Sequence, residues 1–179
     1  MTSKFGTPRR AVRVGYVLAC CMLIAAVLGT SSCYSLRGIS IAPETETYQV
    51  EQFGVATSEA PPEVGQTFTE RLKERVNQNT RLAFDTESPD VTFAGTIVGF
   101  SVTPEAPNAN NRSDQSRLTI RIAVDYIDNV TEANSYSQTF TDFEAFDANA
   151  DLLSVQDQLV ATLFERISEE AFNKAFSNW

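Results

Sequence analysis

Residues 116–128 read SRLTIRIAVDYID, in which Leu118, Ile120, Ile122, Val124 and Tyr126 alternate without a break against Arg117, Thr119, Arg121, Ala123 and Asp125. A period of two puts the five large side chains on one face of a strand. Each is worth roughly 1.5 to 3 kcal/mol when fully buried, which requires a sheet face covered by another layer. Downstream, DNVTEAN (128–134) reads as a hairpin connection and SYSQTFTDFEAF (135–146) as the returning strand. Upstream, PDVTFAGTIVGFSVTP (89–104) is a long strand in which Val91, Phe93 and Ile97 share one face while Phe100 and Val102 fall on the other. A bulge near Gly95 or Gly99 accounts for the switch. Between these strands, TPEAPNANNRSDQS (103–116) is polar and about 14 residues long, a length that inside a compact domain marks a functional or mobile loop.

The covering layer is also written in the sequence. Val64, Phe68, Leu72 and Val76 recur every four residues, with Glu70, Arg71, Lys73, Glu74 and Arg75 outside the stripe. This spacing predicts a helix over about 65–79 with one buried face. Ser154, with Asp157 three residues on, approximates a capping box. Val155, Leu159, Leu163, Ile167 and Ala171 then form a stripe, widened by Val160, Phe164, Phe172 and Phe176, for a helix over 154–177. TYQVEQFGV (47–55) is a first strand, the loop EAPPEVG (59–65) leads from it into the first helix, and RLAFD (81–85) is a short strand after that helix. The economical arrangement is α+β: a two-layer sandwich with a mostly antiparallel sheet and two helices packed on one face.

The N-terminus has a different grammar. Lys4, Arg9, Arg10 and Arg13 precede the apolar run VGYVLACCMLIAAVLG, and TSSC follows, ending at Cys33. Basic, apolar, small and cleavable is the order of an export signal, here resembling a bacterial lipoprotein signal in which the cysteine is acylated. The run of about 16 residues is shorter than the roughly 20 that span a bilayer. Thr30 stands where such signals usually carry Leu. Cys20 fits the local pattern better, but cleavage there would leave MLIAAVLG on the mature chain. The expected organisation is therefore a removed signal over 1–32, a lipidated tether over 33–44 and a single domain over 45–179, with Cys33 as the lipidation site.

Without the four basic residues before Cys33, the chain keeps 10 basic residues against 23 acidic ones, a net charge near −13. That balance argues against a nucleic-acid binder, which must neutralise phosphates, and against broad docking on anionic lipid. Cys33 becomes the sole mature cysteine, so no disulfide forms within one chain. Histidine is absent, which removes the commonest general base and metal ligand together. No nucleophile elbow, phosphate loop or dinucleotide fingerprint occurs, so no catalytic residue, cofactor or metal is expected.

Paired carboxylates could still serve glycoside hydrolysis. Glu169 and Glu170, however, point about 100° apart on a helix, and Asp142, Glu144 and Asp147 read as a solvated acidic surface. Gly95 and Gly99 spell a helix-dimer motif in a β-rich run, which is the wrong context for it. Trp179 ends a helical stretch and is expected to pack back on the domain. Arg117 and Arg121 lie on the same side of their strand, away from the apolar residues. That face is either solvated or meets a partner or an anionic glycolipid, for which arginine forks are suited.

Five stretches together resemble the LptE-type LPS-assembly lipoproteins in their short form. They are Cys33-Tyr-Ser-Leu-Arg-Gly-Ile-Ser-Ile41, QTFTERLKERVNQNTRLAF from Gln66, FAGTIVGFSVTP from Phe93, SRLTIRIAVDY from Ser116 and FNKAFSNW from Phe172. The resemblance implies an outer-membrane lipoprotein that plugs the barrel of the LPS translocon subunit LptD, helps it assemble and assists delivery of lipopolysaccharide. It implies a partner protein and not an enzyme, and suggests contact with lipopolysaccharide itself. Arg117, Thr119, Arg121 and, in the loop, Asn110 are the expected contact positions for barrel or glycolipid. The competing readings are an adaptor lipoprotein of another envelope machine and, more distantly, an envelope hydrolase.

Overall fold

The computed structural model describes residues 41–105 and 115–177. Six strands and two long helices follow in the order β1 (Thr47–Val50), β2 (Gly54–Val55), α1 (Val64–Asn79), β3 (Ala83–Phe84), β4 (Val91–Pro104), β5 (Gln115–Asp128), β6 (Tyr136–Asp147) and α2 (Leu152–Phe176). One sheet holds all six strands in the order β3-β1-β4-β5-β6, with β2 continuing the β1 edge along β4. β4, β5 and β6 pair antiparallel, while β1 and β2 run parallel to β4 across the connection that contains α1. The fold is α+β, and the helices cover one face.

The five alternating residues of β5 are all buried, together with Phe68, Leu72 and Val76 of α1 and Leu159, Leu163 and Ile167 of α2. Phe68 bridges the two layers, edge-on to Phe53 at 4.9 Å and to Phe164 at 5.2 Å. The switch of faces in β4 comes from a bulge between Ile97 and Gly99, which returns Phe100 to the core opposite Ile120.

Three local readings change. The 47–55 strand is broken in two, because Phe53 leaves the edge and turns into the core, where its N–H donates to Thr69 Oγ1 at 2.9 Å. The loop expected over 103–116 is shorter, since Thr103 pairs with Arg117 and Pro104 with Ser116. Helix α2 begins two residues before Ser154, and Asp151 is its N-cap, accepting from the Leu153 N–H at 3.3 Å. Ser154 instead donates its hydroxyl to the Asp151 carbonyl at 2.7 Å.

The connections are tied by two aspartates. Asp90 accepts from the Glu46 and Thr47 backbone N–H groups and from the Thr47 hydroxyl, which fixes β1 against β4. Asp128 accepts from the N–H groups of Val130 and Thr131 and from the Asn134 side chain, which closes the β5–β6 hairpin.

Candidate functional site

The face of β4, β5 and β6 turned away from the helices carries Arg117, Thr119 and Arg121. On β5 the two arginines lie four residues apart, about 13 Å at the rise of a strand. Thr119 sits between them, with Ser101 on β4 and Phe143 on β6 as its cross-strand neighbours. The surroundings are short hydroxyls and small residues, including Ser101, Thr103, Thr139 and Thr141, with Phe143 and Val98 as exposed apolar groups.

The two arginines are not equivalent. Arg117 donates through Nε at 3.0 Å and Nη2 at 2.7 Å to Glu105 Oε1, and its guanidinium stacks 3.9 Å from the Phe143 ring centre. Its charge is already met. Arg121 makes no ion pair among the described residues and lies across Gly99, where a Cβ would stand 2.5 Å from its Nε. Gly99 thus provides the flat shelf on which the Arg121 side chain rests. Elsewhere, Arg71 and Arg75 meet Glu165, and Arg166 meets Asp142 and Glu144.

The acidic surface expected at Asp142 and Glu144 needs correction. Both lie opposite buried β5 residues, Ile120 and Leu118, and so face the helix layer. There they pair with Arg166 of α2, whose pKa is raised by the hydrogen bond to Asp142 and then by that to Glu144. Asp147 remains exposed and accepts from the Asn149 backbone and side chain.

Other chemistry is limited. Among the described residues no group of three or more Cys, Asp or Glu side chains could hold a metal. Burial pushes the phenols of Tyr126 and Tyr136 well above their ordinary value, and Tyr136 donates to the Ala171 carbonyl at 3.0 Å. Neither serves as a base at neutral pH. An open cleft of about 340 Å³ between the helices is lined by Glu63, Arg71, Gln156 and Asp157 together with Val64 and Phe164.

Cys33, Asn110 and Trp179 lie outside the described residues. The structure brings Arg117, Thr119 and Arg121 together, as their spacing requires. It adds Phe143 and Glu105, which the sequence reading missed. Phe143 was detectable, because it stands three residues from the inward Phe140 and therefore on the opposite face of β6.

The family model described as LptE, lipopolysaccharide-assembly, matches residues 45–176. No curated protein sequence matches the chain. Among solved structures, a hypothetical protein from Chlamydia trachomatis aligns with a TM-score of 0.51 at 10% identity, over 75% of this chain and 99% of its own. A protein from Xanthomonas campestris aligns with a TM-score of 0.50 at 12% identity, over 76% of this chain and 91% of its own. Rare lipoprotein B from Shewanella oneidensis aligns with a TM-score of 0.46 at 8% identity, covering 70% and 89%. At these identities the first two likenesses speak to the fold alone.

Proposed function

This chain belongs to the LptE family of lipopolysaccharide-assembly proteins, and we propose that it is the lipoprotein plug of an LptD-type outer-membrane barrel. In this reading residues 1–32 are an export signal and Cys33 carries the lipid. Residues 33–44 tether the domain of residues 45–179 to the outer membrane. The domain fills the barrel, helps it assemble and assists delivery of lipopolysaccharide to the cell surface, without catalysing a reaction.

The observation that carries the reading is the face of β4, β5 and β6 that no other described element covers. Strands β4 and β5 have 14 residues each, which at the rise of a strand is about 45 Å. That exceeds the roughly 30 Å hydrocarbon thickness of a bilayer, so the face is long enough to run the height of a barrel lumen. Its hydroxyl-rich composition suits a polar wall, and the helices on the opposite side hold it rigid. Arg121, which makes no ion pair among the described residues, and Thr119 stand at the middle of this face, and Asn110 lies in the sequence between β4 and β5.

Photocrosslinkers at Thr119 and Asn110 in living cells are expected to capture the barrel or lipopolysaccharide. Affinity purification from membranes should recover a large β-barrel, and mass spectrometry of the mature N-terminus should find acylated Cys33. Recovery of a periplasmic or inner-membrane complex instead, with barrel assembly and surface lipopolysaccharide unchanged on depletion, would replace the plug by an adaptor of another envelope machine.

A further inference from the structure

Among the described residues β6 is the last strand of the sheet and pairs on one side only, with β5. Alternate residues of such a strand turn their backbone N–H and C=O away from the neighbour, along an edge on which another strand can add. Over its 12 residues β6 has no Pro, Lys or bulge, the usual protections of an open edge. It has a different one. The Phe143 N–H donates to Asp142 Oδ1 at 2.7 Å, and the Phe143 carbonyl accepts from Arg166 Nη2 at 2.8 Å. Arg166 reaches there from α2 and is held by Asp142 through Nε and by Glu144 through Nη1, the latter at 2.7 Å. Both backbone groups that an incoming strand would use at Phe143 are therefore taken by side chains.

We propose that Asp142 and Arg166 form an edge lock that keeps a second copy of this chain from adding to β6. Fastening the helix to the sheet needs only the two carboxylates. The third contact, on the Phe143 carbonyl, places the guanidinium in the path of an added strand. A second copy is the strand to exclude, because the half of the edge before the lock, Tyr136–Thr141, carries no charge and would meet its own copy without repulsion. Two β6 strands running antiparallel about Thr139 would set residue 137 against 141, and their next step would bring Phe143 into the pairing. The lock stops that extension and leaves a stretch too short to hold two copies together.

The test uses the full chain purified in detergent, with the copy number followed by sedimentation as concentration rises. The wild type should stay at one copy per particle. Arg166→Met, which keeps an apolar stem and removes the guanidinium, should self-associate at least about tenfold more tightly, the factor expected for one hydrogen bond to a charged group. Adding Thr141→Pro should restore the single copy, because its N–H lies on the same open edge and bonds nothing in the sheet. Thr139→Lys should do so as well without altering the backbone. Arg75→Met, which breaks an ion pair between the helices away from the edge, should remain single. A multimeric wild type, an Arg166→Met chain that stays single, or association that survives both edge changes or appears equally in Arg75→Met would overturn the lock.

Discussion

The ring of Phe53 lies over Gly95 so closely that a Cβ on Gly95 would stand 2.6 Å from Phe53 Cε1, and 2.2 Å from the Ala123 carbonyl oxygen. Gly95 is where β4 lets the Phe53 ring and the backbone of β5 approach together. Gly99, four residues on, has a different neighbour, since its Cβ would meet the Arg121 guanidinium, the free end of a flexible side chain. Gly95→Ala should therefore cost about 1 to 3 kcal/mol as overpacking, and Gly99→Ala should fall within about 0.5 kcal/mol of wild type. Urea unfolding of the two variants checks this, and equal losses would contradict it.

Thr69 joins the same constellation to α1. Its hydroxyl accepts from the Phe53 N–H at 2.9 Å and donates to the Gly65 carbonyl at 2.8 Å. Thr69→Val keeps the shape and strands a buried N–H, at an expected cost of about 1 to 3 kcal/mol. Hydrogen exchange at the Phe53 amide should accelerate in parallel, and an unchanged amide would mean that the bond does not hold the strand break.

The two faces of β5 predict opposite sensitivities. Ile122 is fully buried between the layers, whereas Arg121 is exposed on the uncovered face. Ile122→Ala should cost about 2 to 5 kcal/mol, and Arg121→Ala should stay within about 0.5 kcal/mol. Similar melting temperatures for the two would reverse the assignment of faces.

What could be read from the sequence followed from local periodicity. The unbroken alternation from Leu118 to Tyr126 and the fourfold spacing from Val64 to Val76 each define a buried face without knowledge of the rest of the chain. The break at Phe53 could be seen only as lost alternation, because its cause is Thr69, a residue on another element. The parallel pairing of β1 and β2 with β4 likewise depends on how the connection through α1 returns the chain. Asp142 and Glu144 looked solvated because their partner, Arg166, is 24 and 22 residues away on a helix. In the candidate site, spacing placed Arg117 and Arg121 on one face, yet it could not separate an arginine neutralised by Glu105 from one resting on Gly99.

Asp90 supplies a pH-dependent fastening. The Glu46 and Thr47 N–H groups, followed by the Thr47 hydroxyl, hold its pKa below the ordinary carboxylate value. A carboxylate depressed in the folded state stabilises it above the ordinary value, and that contribution is lost as pH falls through this value towards the depressed one. Asp90→Asn should therefore lower stability at neutral pH and flatten its decline on acidification. Thermal melts from neutral to strongly acidic pH read this out, and parallel curves for variant and wild type would rule it out.

The unequal arginines give the sharpest prediction for the proposed plug. Arg117 brings its own counter-charge in Glu105 and its own stacking partner in Phe143, so a partner gains little by approaching it. Arg121 has neither among the described residues, and reversing its sign on a face pressed against a polar wall would leave a charge without a partner, which is costly once water is excluded. Arg121→Glu should reduce recovery of the barrel with the tagged protein by about tenfold or more, the factor for roughly 1.4 kcal/mol. Arg117→Gln, which removes a charge already balanced within the domain, should change it by less than about threefold. Both variants should fold as wild type by circular dichroism, since neither side chain is in the core. If barrel recovery followed Arg117 and ignored Arg121, the contact would lie towards Glu105 and the end of β4, and the middle of the sheet face would no longer be the docking surface.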